Sequence, residues 1–480
     1  MKQVEQVAFT LFGLDVVFAE DGIADSGDGG WLLNQRPDAR ADDVEPVIDG
    51  ILQVEDRRLT GQIAEDLILR RRDRRCRRDR PVHAVTSTGS SLTRSSSSAA
   101  AYTKSMHGSA ALTGGLAAVI NGSRVPWIAL GVTAAELLET CNEDGLTGLV
   151  HQSLRAQAGG DWPEGVQADV ASRTCAAAAE ETLRRRETIS ALDALASAGV
   201  TPILLKGTAL AYTVYAVPSY RPRADTDLLI PREHVAAARH VMADLGFVES
   251  ANSGGERLFA QFQFWKEDAY GVQHVFDFHW KISTQPTFAD VLTFGELAAA
   301  SVPVGALGEH ARAAATVHAL LLACIHPAMH HRNAEHLIWM YDIHLLASRL
   351  SATDFDRLVD IALAKKVGAV CAHELARARS RFDFPLPPRV IGTLGERSDE
   401  PSAAYLRSQR RWVDELISSM QGLPRWGDRL GLLREIVFPS ARYMLAAYGM
   451  AARPSLAAML PALYAHRILK GIQKVAAGRK

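Results

Sequence analysis

The acids of Asp225-Thr226-Asp227 stand directly before the apolar run Leu228-Leu229-Ile230. In a β-strand alternate side chains share one face, so Asp225 and Asp227 would point the same way. Their Cα atoms would lie about 6.6 Å apart at a rise of about 3.3 Å per residue. Unpaired, two such carboxylates repel and resist ionising together. A divalent cation removes that conflict, and Mg²⁺ is typically held by one or two carboxylates plus substrate phosphates. Upstream, Leu204-Leu205-Lys206-Gly207-Thr208 passes from an apolar stretch into a helical pattern. Gly207 and Thr208 then fall where a helix N-terminus could hold a phosphate. A nucleotide-phosphate and metal site is the expectation around these two segments.

At 480 residues the chain is long enough for roughly two to four domains. With 48% hydrophobic and 22% charged residues it has ordinary globular composition. A net charge of -1 gives no global case for a nucleic-acid partner, although it does not exclude one. The cysteines Cys76, Cys141, Cys175, Cys324 and Cys371 are scattered without a CxxC pair, which fits a reduced cytoplasmic protein better than a disulfide framework or a zinc site. Glu5, Asp15, Glu20 and Asp21 make the N-terminus too acidic for a signal peptide. No apolar run reaches about 18 residues, so no membrane span is expected.

Along the chain, residues 1–110 read as a poorly ordered or low-complexity region. Val7 to Phe18 could form a strand or two. Arg70 to Arg80 is eight arginines with Asp73, Cys76 and Asp79, and Thr86 to Ser98 is dominated by Ser and Thr. Such segments bury too little apolar surface to offset ordering entropy. The arginine run reads as a solvated linker before it reads as an electrostatic tether. Residues 111–199 form an N-terminal helical region. There Thr133 is a candidate N-cap with Glu136 three residues on, and a long helix from Gln167 to Ser197 ends at Gly199.

Residues 200–304 alternate between strand and helix signals. Strands are expected at Val200–Leu205, Asp225–Ile230, Phe259–Trp265 and Gln273–Ile282, and helices at Gly207–Tyr215 and Glu233–Leu245. In the last strand Phe276, Phe278 and Trp280 share the core face, while Val275, Asp277 and His279 share the other. Asp277 is a third acid in an apolar setting. Residues 305–480 are expected to be helical, including Tyr405 to Met420. His326, His330, His331 and His336 with Cys324 have metal-like spacing, yet Pro327 should interrupt the helix and no acid completes the set. Asp342 reads as a hydrogen-bond partner within the helical region.

The order of these phrases resembles the polymerase-β-like nucleotidyltransferase superfamily, in which a Gly and a Gly or Ser precede an acid-x-acid strand. More narrowly, Leu205-Lys206-Gly207, Tyr215, Arg221-Pro222, Asp225-Thr226-Asp227-Leu228-Leu229-Ile230 and Asp277-Phe278-His279-Trp280 are similar to a bacterial family of uncharacterised nucleotidyltransferases. His326, His330, Asp342-Ile343 and Phe438-Pro439-Ser440 extend the resemblance, which covers about residues 130–475. Thr208 replaces the usual Gly or Ser and keeps a hydroxyl. The resemblance implies an α+β fold: a small mixed β-sheet nucleotidyltransferase core flanked by N-terminal helices and a C-terminal helical bundle.

The activity it implies is Mg²⁺-dependent transfer of a nucleoside monophosphate from NTP to an unidentified acceptor, a small molecule or a protein. Two Mg²⁺ ions about 3.5–4 Å apart would activate the attacking oxygen and neutralise the leaving pyrophosphate. Asp225, Asp227 and Asp277 would be catalytic and hold the metal, with Asp277 also taking the acceptor proton. Lys206, Gly207, Thr208 and Arg221 would bind the nucleotide. Lys206 reads equally as a solvated strand-end lysine, and Arg221 as a structural partner of the acids. His279 reads as a packing or supporting residue. Two other functions fit the same residues: a toxin-like enzyme modifying tRNA or another RNA, and a non-catalytic nucleotide-binding scaffold.

Overall fold

The computed structural model describes residues 6–11, 14–19, 112–157, 160–250, 260–331, 333–407, 417–421, 423, 425–439, 441, 444–445, 448 and 459–477. The expectations for the rest of residues 1–110, the arginine run included, lie outside the described residues, as do Phe259 and Ser440. Strands β1 (Gln6–Leu11) and β2 (Leu14–Ala19) pair antiparallel, with Val7 opposite Phe18. The described residues fall into two compact units.

The smaller unit contains helices α1 (Ala134–Glu143) and α2 (Thr147–Ala156), the part of α3 (Glu164–Ser197) up to Arg185, and residues 216–222. Thr133 caps α1 in a reciprocal box, as its sequence implies. The Glu136 amide donates to Thr133 Oγ1 at 3.3 Å, and the Thr133 amide donates to Glu136 Oε2 at 2.8 Å. Leu137, Leu138, Leu149, Val150 and Leu154 are buried at helical spacing. The α2 backbone packs directly on Tyr220. A Cβ on Gly148 would lie 2.5 Å from Tyr220 Cδ1 and 3.1 Å from its Cα, so the contact requires glycine.

The larger unit holds a seven-stranded sheet in the order β5-β6-β7-β4-β3-β9-β8. Its strands are β3 (Ile203–Leu204), β4 (Thr226–Leu229), β5 (Val248–Glu249), β6 (Gln261–Glu267), β7 (Gln273–His279), β8 (Val302–Pro303) and β9 (Arg312–Ala313). The β4–β7 and β3–β9 pairs are parallel and the others antiparallel, so the sheet is mixed and the arrangement α+β. The two-residue strands β5, β8 and β9 carry no alternation that a sequence could announce.

The alternation of β7 sets which face is buried. Phe276 and Phe278 join Leu204, Leu228, Ile230, Phe262 and Phe264 in one apolar cluster. Phe262 and Phe278 are direct cross-strand partners with stacked rings 5.0 Å apart. Leu192 and Leu195 from the end of α3 cover this cluster, together with Ala238 and Met242 of α5 (Val235–Asp244). The opposite face of β4 and β7 is left to Asp227, Asp277 and His279 by the period of two. Between β3 and β4 runs α4 (Lys206–Thr213).

The remaining helices used below are α6 (Thr316–His330), α7 (Leu337–Ala347), α8 (Ala352–Ala364) and α9 (Gly368–Arg381). Two expectations change here. Helix α6 runs through Pro327 instead of breaking at it; the missing N–H costs one bond near the C-terminal end, where buried Leu320, Leu321, Cys324, Ile325, Ala328 and Met329 hold the helix by packing. The stretch read as a helix from Tyr405 begins as a 3-10 turn, Pro401–Leu406, with Tyr405 buried against Phe288 at 4.9 Å between ring centres.

Candidate active site

The parallel register of β4 and β7 places Asp227 directly beside Asp277 and Leu229 beside His279. Neighbouring strands lie about 4.8 Å apart, so two carboxylates on one face in this register are near neighbours. Asp227 is 3% exposed, Asp277 9% and His279 2%. Each of the three offers a ligand atom within 4.8 Å of the others, and among the described residues no other group of three His, Cys, Asp or Glu converges in this way. Asp225 stands one residue before β4 and is more exposed than Asp227.

Two cationic or donor groups converge on one oxygen of Asp227. Lys206 Nζ lies 2.6 Å from Asp227 Oδ1 in an ion pair. His279 Nε2 lies 2.9 Å from the same oxygen and 3.9 Å from Asp277 Oδ2. An ionised carboxylate only accepts, so His279 Nε2 is the donor in the shorter contact. Burial would raise the Asp227 pKa, but the Lys206 charge and the His279 hydrogen bond override it and hold the carboxyl well below the usual range. Lys206 mirrors this: burial lowers its pKa, and Asp227, Asp225 and Asp277 together hold the ammonium well above its ordinary value. Asp225 has no such partner in contact among the described residues. Burial, then the charges of Asp227 and Asp277, push it up to about 7.

The backbone that presents these groups is built from short links. The Leu205 amide donates to the Asp227 carbonyl at 3.0 Å, extending the β3–β4 pairing by one residue. At Lys206 the chain turns into α4 with φ of +47°. A left-handed backbone is uncommon for lysine, and such outliers cluster at functional sites. Thr208, 1% exposed, donates from its hydroxyl to the Asp225 carbonyl at 3.3 Å and lies 3.4 Å from the Thr226 hydroxyl. Its side chain thus braces the segment that carries both acids. At the far end of α4 the Tyr215 hydroxyl donates to Asp342 Oδ1 at 2.7 Å, and Arg349 donates to the Val214 carbonyl at 2.7 Å.

A family model described as an uncharacterised nucleotidyltransferase matches residues 131–383, just over half of the chain. The chain belongs to that family. No curated protein and no solved structure gives a match. In this nucleotidyltransferase-family chain Lys206, Gly207, Thr208, Asp225, Asp227 and Asp277 all lie in the larger unit, at adjoining points of β3, α4, β4 and β7. Arg221 belongs to the smaller unit, where its guanidinium donates to the Pro222 carbonyl at 2.9 Å. No helix among the described residues is long and apolar enough to cross a membrane.

Two groups carry more of the site than their sequence context announced. His279 is bonded to Asp227; its signal was the shared face with Asp277. His330 and His331, at the end of α6, feel the charges of Lys206 and Asp227. Burial, reinforced by the Lys206 charge, holds His330 well below its ordinary pKa. Burial, Lys206 and His336 bring His331 to about 4. Their signal was the cluster His330-His331 directly after an apolar helix.

Proposed function

We propose that this chain is a metal-dependent nucleotidyltransferase with a polymerase-β-like core. It would move a nucleoside monophosphate from NTP to an acceptor nucleophile on a small molecule or protein. The observation that carries the reading is the parallel register that puts Asp227 beside Asp277, with Lys206 in an ion pair with Asp227. The donor set fits a divalent cation: the Asp227 and Asp277 carboxylates converge, and Asp225 beside them is driven toward neutrality by burial and by their charges. Asp225, Asp227 and Asp277 would hold one or two Mg²⁺ ions, which supply charge neutralisation of the triphosphate and activation of the attacking oxygen.

The chain's own residues do the rest. Lys206 and His279 fix one oxygen of Asp227, so the other is aimed away from them. Thr208 holds the Asp225 carbonyl, and with it the spacing of the acid pair. Lys206 and Gly207 are the nucleotide-side groups of this reading within the larger unit; Arg221, of the smaller unit, is a candidate from the sequence alone. In the reaction the acceptor oxygen bonds to the α-phosphorus, the bond from that phosphorus to the bridging oxygen breaks, and pyrophosphate leaves. The acceptor proton passes to Asp277, the general base.

Purified protein incubated with each α-labelled NTP, Mg²⁺ and cell extract tests this directly. Label should appear on a small molecule or a protein, and a folded Asp227→Asn variant should lose it. Asp277→Asn should keep NTP binding and slow turnover. Label on RNA would move the acceptor to a nucleic acid. No transfer from any NTP, or full transfer by Asp227→Asn, sinks the proposal.

A further inference from the structure

The connection from α6 to α7 gathers four aromatic or imidazole rings, none of them in the converging group of Asp227, Asp277 and His279. The Trp339 ring centre lies 4.4 Å from His336, 4.6 Å from His331 and 5.2 Å from His326. All four side chains are partly exposed. The connection is tied to α9. Asn333, at φ of +61°, contacts His373 at 3.3 Å, while Glu335 pairs with Arg381 at 3.3 Å and with Arg377 at 3.7 Å. Arg377 is itself held by the buried Glu374 at 2.7 Å.

We propose that His331, His336 and Trp339 form the wall on which the base of the bound NTP stacks, an inference that rests on the donor-site reading above. Three observations favour a base over other occupants. First, the wall starts at His331, at the C-terminal end of α6, and α6 packs against α4, the helix that opens at Lys206, so the wall is carried by an element in contact with the one that would meet the triphosphate. A base is covalently tied to that triphosphate and must be seated nearby. Second, the His331 and His336 ring centres lie 4.6 and 4.4 Å from that of Trp339, and burial with the Lys206 charge disfavours a cation on His331, so this surface offers π-faces to a base. Third, no three of these histidine nitrogens converge, unlike those of Asp227, Asp277 and His279, so the cluster is not built as a metal site. Flat rings on a segment anchored to α9 by ion pairs suit stacking, which accepts any base because each has a π-face.

Calorimetric titration of the full chain with ATP and with inorganic tripolyphosphate, both with Mg²⁺, decides the matter. The wild-type chain should bind ATP more tightly than tripolyphosphate. Trp339→Ala and His331→Ala should each weaken ATP about five- to a hundred-fold, the range expected for one base–aromatic stack, and leave tripolyphosphate affinity unchanged. Trp339→Phe should restore most of the ATP affinity. His336→Ala serves in place of Trp339→Ala if the latter unfolds, as judged by circular dichroism. Equal wild-type affinity for the two ligands, or parallel loss of both in folded variants, overturns the wall while leaving the phosphate site standing. Binding of neither ligand by the wild-type chain refutes the donor site itself, and the wall with it.

Discussion

Replacing Lys206 with Met removes the ammonium and keeps the stem, so it isolates the charge. Lys206 Nζ sits 2.6 Å from Asp227 Oδ1, with the side chains 21% and 5% exposed. At that distance the gross attraction is about 6 kcal/mol for an effective dielectric constant of 20. Desolvation offsets part of it, but removing one partner leaves a buried carboxylate uncompensated, which costs about 3–5 kcal/mol. Lys206 retains some solvent access, so the lower end, about 3 kcal/mol, applies. Lys206→Gly removes the same charge but relieves the left-handed backbone at φ of +47°, and should recover about 1 kcal/mol of that loss. The assay is urea unfolding at pH 8 with a chelator present, run on the wild type, both Lys206 variants, Asp227→Asn and the Lys206→Met/Asp227→Asn double variant. The double variant should cost much less than the sum of the singles. A Lys206→Met loss below about 1 kcal/mol, the level of an exposed pair, would refute the reasoning.

Asp225 is held near 7 in the fold by burial and by the charges of Asp227 and Asp277, against an ordinary value of 3.8. The folded chain therefore binds more protons than the unfolded one between these values, and this group makes metal-free stability fall as pH rises from about 4 to about 7. Urea midpoints should show Asp225→Asn gaining on the wild type across that window; parallel pH profiles would contradict the charge assignment. Tyr215→Phe removes the 2.7 Å bond to Asp342 and should cost about 1–3 kcal/mol in urea unfolding, with an unchanged midpoint counting against its role at the end of α4. Gly148→Ala drives a methyl onto Tyr220, including its backbone, and should cost about 1–3 kcal/mol; thermal unfolding as stable as the wild type would mean the α2–Tyr220 contact yields freely.

What could be read from the sequence was set by periodicity. The period of two in β7 separated Phe276 and Phe278 from Asp277 and His279, and the acid-x-acid phrase marked β4, because alternation is a local property. The N-cap at Thr133 was legible for the same reason. The pairing of β4 with β7 was not: register is fixed by contacts some fifty residues apart, so Asp277 could be suspected but not set beside Asp227. Strands β5, β8 and β9 are too short to alternate, and β9 brings Arg312–Ala313 to the edge of β3 from beyond the stretch that carried strand signals. Pro327 misled because a proline penalty is local while the packing that outweighs it is tertiary. The bonds of Thr208 to the Asp225 carbonyl and of Lys206 to Asp227 were not legible either, because they join residues 17 and 21 positions apart.

The left-handed turn falls on Lys206 and not on Gly207, the residue that would adopt it without strain. The reason lies in what the position must reach. Leu205 is still paired to the Asp227 carbonyl, and Thr208 is already bonded to the Asp225 carbonyl, so only two residues remain to turn the chain from β3 into α4. A side chain launched from the first of them stands over the buried acid pair. Lysine there costs about 1–2 kcal/mol in backbone strain, while the ion pair it makes with Asp227 is worth about 3 kcal/mol against an uncompensated carboxylate. The balance favours strain. It also explains how three acids can stand so close together: Lys206 offsets Asp227, His279 donates to it, and Asp225, pressed by burial and by the charges of Asp227 and Asp277, retains its proton to an unusually high pH.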